Sequence, residues 1–119
     1  MCKRGEIYFS NLGYDFSSDK QCGSRPVIVI SNNRANRNSS VVTVIPMTSR
    51  LNKKPLPTHV FVSRRLSGLE KDSIALAEQI TNLDKDKLER KVGEIADEMT
   101  MDQLTTAIQI QLGFYDEYN

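Results

Sequence analysis

Two β-branched apolar runs dominate the pattern, Val27-Ile28-Val29-Ile30 and Val41-Val42-Thr43-Val44-Ile45. A continuous run of this kind reads as a strand buried on both faces. The pattern predicts a weakly alternating strand at 6–12, a core strand at 26–31 with Pro26 at its first position, and a third at 41–47. Pro46 should mark an edge or bulge near the end of that third strand. A short strand is expected at 58–62, a fifth at 73–80 and a last one at 91–95. Asp84 is placed to cap a helical turn over 85–88. Polar loops should fill 13–23, 32–40 and 51–57, with a turn at 67–72. One helix stands out near the end. Thr100 and Gln103 have capping-box spacing, and Leu104, Ala107, Ile108, Gln111 and Leu112 then share a face, with Phe114 and Tyr115 completing the apolar surface. About five or six short strands followed by a helix describe a mainly β fold with a helix: a strongly bent sheet or half-open barrel with the helix on one face. Residues 1–119 form a single domain on this reading.

Composition adds one asymmetry. The net charge is only +1, but residues 1–65 carry eleven Lys and Arg against three Asp and Glu, and residues 66–119 carry five against twelve. A side that faces a polyanion is therefore expected, built mainly from the first half. Cys2 and Cys22 form no CxxC pair, and with a single histidine, His59, no zinc spacing exists. They read as free thiols in a reducing compartment. No apolar stretch reaches the length of a signal-peptide core or a membrane span, so a soluble cytoplasmic protein is expected, with no membrane association.

The candidate chemistry gathers at two strand ends. Arg25 enters the core strand at 26–31, and Thr48 leaves the strand at 41–47. If those strands are antiparallel neighbours, the two residues share one mouth. A guanidinium fork and a hydroxyl together suit a phosphate and its pentavalent transition state without a metal. The plainer alternative is a surface arginine beside a capping threonine. P-loop, GxGxxG and GxSxG motifs are all missing. A histidine-based ribonuclease would want two imidazoles, and His59 alone reads as structural.

Several motifs occur in order: Lys3-Arg4-Gly5-Glu6-Ile7-Tyr8-Phe9, Gly23-Ser24-Arg25-Pro26-Val27-Ile28-Val29-Ile30-Ser31-Asn32, Pro46-Met47-Thr48-Ser49, Leu56-Pro57-Thr58-His59-Val60, Lys71-Asp72-Ser73 and Glu78-Gln79-Ile80. Together they resemble the MazF/PemK family nearly end to end. The resemblance implies an SH3-like small barrel of about five to seven strands plus a C-terminal α-helix, assembled as a homodimer. It implies the toxin of a type II toxin–antitoxin pair, a metal-independent endoribonuclease that needs no cofactor. Such a toxin cuts single-stranded RNA at short sequences through the ribose 2′-OH and leaves a 2′,3′-cyclic phosphate and a 5′-OH. A cognate antitoxin is the implied protein partner. The family's catalytic arginine and threonine fall on Arg25 and Thr48. Its RNA-contacting segment falls on Glu78, Gln79 and Ile80, and Lys20, Gln21, Asn32, Ser49 and Arg50 are assigned to RNA contact beside them. A guanidinium is a poor base, so Arg25 is expected to stabilise phosphate charge rather than act as one. Tyr14 and Phe16 are the aromatic residues of a candidate RNA loop.

Two rivals remain on the residues alone. One is a topoisomerase poison on the same barrel, like CcdB. The other is an RNA-binding barrel without catalysis. Arg25 and Thr48 are expected to be exposed, so that removing either side chain leaves the fold intact.

Overall fold

The computed structural model describes residues 1–13, 23–52 and 54–115. Lys20 and Gln21 lie outside the described residues, as do Tyr14, Phe16, Cys22 and Lys53.

Seven strands are present: β1 (Glu6–Asn11), β2 (Ser24–Val29), β3 (Val41–Thr48), β4 (His59–Val62), β5 (Ser73–Leu76), β6 (Thr81–Asp84) and β7 (Leu88–Glu94). Three helices accompany them: α1 (Asn33–Asn38), α2 (Arg64–Ser67) and α3 (Glu98–Gln111). All strand pairs are antiparallel, in the order β4-β5-β3-β2-β1-β7, with β6 also on β3. The end strands β4 and β7 do not pair with each other, so the sheet stays open, as a half-open barrel does.

The continuous apolar runs are explained by two cores. Ile28, Ile45 and Met47 pack with Ile7 and with Leu104 and Ala107 of α3. Their neighbours Val27, Val29, Val42 and Val44 point to the opposite face and pack with Cys2. Successive side chains alternate faces, and both faces are covered. β3 uses its outer edge twice, pairing residues 41–44 with β6 and residues 47–48 with β5. Pro46 falls in the gap between, where its missing N–H breaks no ladder bond.

Several expectations shift. β2 begins at Ser24, so Pro26 is its third residue and Arg25 lies inside the strand, paired with Ser10. β3 joins β2 only from Val27 onward, which leaves Pro26 unopposed on that side. The polar stretch expected as a loop holds α1. Asn32 caps it by accepting the Ala35 N–H at 2.8 Å. Asn36 is fully buried; it accepts from the Ser31 hydroxyl and donates to the Ser31 carbonyl. The fifth strand stops at Leu76, and a 3₁₀ turn (Ala77–Gln79) leads into β6. β6 shows no hydrophobic alternation because only Leu83 is even half-buried. The turn after Asp84 forms over Lys85–Lys87, but the Asp84 side chain makes no capping bond. The helix starts a turn earlier than its capping-box spacing implied. Asp97 is its cap, accepting from the Thr100 N–H at 3.0 Å and the Thr100 hydroxyl at 2.6 Å. Gln111, Leu112, Phe114 and Tyr115, expected to complete its buried face, are exposed. Among the described residues no helix is long and apolar enough to cross a membrane.

Gly93 of β7 is packed against α2: a Cβ there would meet the Ser67 carbonyl oxygen at 2.6 Å and Leu69 at 3.4 Å. Gly93→Ala should therefore destabilise the fold by about 1–3 kcal/mol, measured by urea unfolding. The Thr100 hydroxyl and then its N–H hold the Asp97 carboxyl below its ordinary 3.8. A depressed carboxyl stabilises the fold above its unfolded value and stops doing so as pH falls through its folded value. Asp97→Ala should lower Tm at neutral pH, and the gap to the wild type should narrow once the pH drops below 3.8.

Candidate active site

Val27 is paired with Pro46. Arg25 stands two residues before the one and Thr48 two after the other, so β2 and β3 bring them to the same level. Both border one cleft of about 450 Å³. The cleft opens at strand ends, and neighbours from both faces reach it: Arg25 with Pro26, and Met47 with Thr48 and Ser49. Phe9, Pro26, Met47, Leu69 and Val92 give it apolar walls. The turn after α2, closed by Gly68 in the left-handed conformation (φ 81°), supplies Glu70 and Lys71, and β5 adds its first residue, Ser73. Arg90 of β7 completes it.

Thr48 is 5 % exposed, which corrects the expectation that both side chains stand free. Its Oγ1 accepts the Arg50 N–H at 3.1 Å, and among the described residues its hydroxyl donates to nothing. A phosphate oxygen could take that proton. Arg25 is exposed and has no ion-pair partner among the described residues; the same holds for Lys71 and Arg90. The cleft thus carries three unpaired cations against one carboxylate, Glu70. Two of those cations, Lys71 and Arg90, come from the acidic half of the chain, so the polyanion-facing side is not built by the first half alone.

The other assigned residues are dispersed. Ser49 borders the cleft, and Arg50 is exposed beside it. Glu78 and Gln79 sit on the 3₁₀ turn and border a second cleft of about 370 Å³, with Leu12, Pro46 and residues of β6. Glu78 is already engaged, accepting the Thr58 hydroxyl at 2.8 Å and facing His59 Nε2 at 2.9 Å. That bond accounts for His59, which does not border the Arg25 cleft; its Nδ1 is buried without a partner. Asn32 is spent as the α1 cap and borders a third cleft of about 560 Å³ with Arg4, Ile108 and Gln109. The segment holding Lys20 and Gln21 leaves from residues joined to each other, Leu12 N–H to Gly23 O at 2.9 Å and Gly23 N–H to Gly13 O at 2.7 Å. Among the described residues no group of three His, Cys, Asp or Glu could hold a metal ion. Sequence reasoning assigned no role to Phe9, Lys71, Ser73 or Arg90; their place depends on long-range strand pairing, which local spacing does not carry.

Comparison with known proteins adds identity to this geometry. Residues 3–112 match the family described as PemK-like, MazF-like toxin of type II toxin–antitoxin system. The endoribonuclease EndoA of Bacillus subtilis is 42 % identical over 114 residues, covering 96 % of this chain and 97 % of the relative. The endoribonuclease MazF of Staphylococcus saprophyticus is 38 % identical over 115 residues, covering 97 % and 94 %. A mycobacterial endoribonuclease solved in complex with its cognate antitoxin superposes with TM-score 0.78 at 28 % identity, covering 97 % of this chain and 98 % of that one. MazF of Deinococcus radiodurans (TM-score 0.77, 22 % identity, covering 94 % and 96 %) shares the fold.

Truncating Glu78 should strand the Thr58 hydroxyl and a second buried imidazole nitrogen. Glu78→Ala is expected to cost about 1–3 kcal/mol in urea unfolding, and Glu78→Gln, which keeps an acceptor, clearly less.

Proposed function

The chain belongs to the PemK/MazF family of type II toxin–antitoxin toxins and is an endoribonuclease of that family, and we propose that it cuts single-stranded RNA at the cleft shared by Arg25 and Thr48. The observation that carries this reading is the convergence of a free guanidinium and a hydroxyl without an acceptor in a cleft with excess positive charge. The ribose 2′-OH attacks the adjacent phosphorus, and the bond to the 5′-oxygen breaks. A 2′,3′-cyclic phosphate forms, and the leaving oxygen takes a proton to become a 5′-OH. Two non-bridging oxygens gain charge at the transition state. Arg25 meets that charge with its planar fork, and Thr48 donates one hydrogen bond from a side chain already fixed by Arg50. Arg25 serves as a hydrogen-bond donor and not as a base, and the 2′-OH proton leaves to water. No metal or cofactor enters this scheme. Ser49 borders the cleft and Arg50 follows it in the chain, and Glu78, Gln79 and Asn32 border other clefts that a longer RNA would have to reach. Lys20 and Gln21 complete the proposed RNA contacts.

The mycobacterial relative was solved with its cognate antitoxin. By that likeness this toxin is held by a cognate antitoxin, whose acidic segment would cover the cationic cleft. The homodimer and the cytoplasmic location are proposed with it. The relatives' names give no support to a topoisomerase poison.

Mixed-sequence RNA in excess EDTA is the test. The wild type should cut at discrete sites and leave 5′-OH ends. Arg25→Ala and Thr48→Val should each lose at least about 10²-fold in rate, the cost of one oxyanion donor. Thr48→Val is the informative choice because the residue is buried: it keeps the volume and removes only the hydroxyl. RNA binding without cutting by the wild type would make this a non-catalytic RNA-binding barrel. Wild-type rates in either variant would remove that residue from the mechanism.

A further inference from the structure

Arg90 has no part in the scheme above, yet it is the most constrained cation on the cleft. It stands directly across from Phe9 between β7 and β1. Its guanidinium carbon lies 4.9 Å from the Phe9 ring centroid. A cation–π contact of this kind draws on the charge of the guanidinium and does not require its N–H donors, which are the groups that grip phosphate. Arg90 is exposed, and no carboxylate among the described residues is paired with it.

The register fixes how far it stands from the reacting pair. Phe9 is paired with Pro26 on one side and Arg90 on the other. Arg90 is thus two strand spacings from β2, about 10 Å. Charge-assisted hydrogen bonds to phosphate are only about 2.7–2.9 Å long. Paired residues share a face, so Phe9, Pro26 and Arg90 point one way and Arg25, next to Pro26, points the other, which sets a guanidinium held over Phe9 apart from the phosphate that Arg25 grips. It is placed for another one.

We propose that Arg90 binds a second phosphate of the RNA, flanking the scissile one, and that Phe9 is a positioning residue that holds the guanidinium in place. The proposal rests on the endoribonuclease reading of the Arg25 cleft. A flanking phosphate keeps its charge through the reaction, so Arg90 contributes equally to ground and transition states. Its loss should appear in KM and not in kcat.

The test uses the intact protein and a short RNA carrying the mapped cleavage sequence, with binding titrated alongside at several salt concentrations in EDTA. Arg90→Gln should raise KM and weaken binding about tenfold with kcat unchanged, and should lower the slope of log K against log salt by about 0.7, one single-strand phosphate contact. Arg90→Lys should recover part of the affinity, and Phe9→Leu should weaken it in the wild type but not in Arg90→Gln. Replacing flanking phosphates one at a time by neutral methylphosphonates should locate a linkage whose loss harms the wild type and leaves Arg90→Gln unaffected. Unchanged KM and salt slope in Arg90→Gln would overturn the proposal, as would a fall confined to kcat. If the wild type binds RNA but does not cut it, the reading of the reaction fails, and the binding titrations still decide Arg90.

Discussion

The antiparallel register of β2 and β3 is the constraint on which the rest depends. Val27, Ile28 and Val29 face Pro46, Ile45 and Val44, all but Pro46 fully excluded from solvent. A slip of β2 by one residue would turn Ile28 toward the Cys2 core and Val27 and Val29 toward Leu104, while β3 kept its faces. It would also part Arg25 from Thr48, whose common level is set by nothing nearer than that pairing. The same buried ladder that stabilises the domain therefore sets the geometry of the cleft.

That ladder was legible in the residues because burial on both faces leaves an unmistakable mark, an unbroken β-branched run. The Arg25–Thr48 juxtaposition was legible for the same reason, once the two strands were taken as neighbours. Elements that bury little left no mark. β6 is held by its pairing with β3 and by the Thr43 hydroxyl on Asn82 at 2.8 Å, and it hides in a polar sequence. α1 is a short helix of mainly polar residues, anchored by a buried asparagine rather than an apolar face, so helical periodicity could not reveal it. The start of α3 was misplaced because Thr100 resembles a cap. In the structure it is a capping partner, donating its hydroxyl to Asp97. Phe9 and Arg90 sit far apart in sequence, and only the β1–β7 register makes them a pair.

Charge follows a similar logic. The halves of the chain differ strongly in sign, but the cleft draws Arg25 from one half and Lys71 and Arg90 from the other. Among the described residues these cations have no carboxylate partner, whereas Lys91 is shared between Glu6 and Glu94 at 3.0 and 3.3 Å, and what sets them apart from the other unpaired cations is that they border one cleft. Burial raises the Glu6 carboxyl, but the bond from Lys91, with those from the Lys3 N–H and Tyr8, outweighs it and leaves Glu6 below its ordinary value. That cation is spent on the fold. The unspent ones converge where an anion would replace water.

The two residues proposed to act on the phosphate differ in a way that suits those proposed tasks. Thr48 is buried, and its oxygen is held by a backbone N–H, so its hydroxyl can donate along a fixed direction with no reorganisation. Arg25 is exposed on a strand at the foot of a long connection and can follow a phosphate as its oxygens spread toward trigonal bipyramidal geometry. A fixed donor alone would discriminate by geometry and tolerate little motion of the substrate. A free guanidinium alone would bind ground state and transition state alike. In the proposed reaction, the two are placed side by side by one buried register: the fixed donor defines where the charge must develop, and the free one neutralises it there.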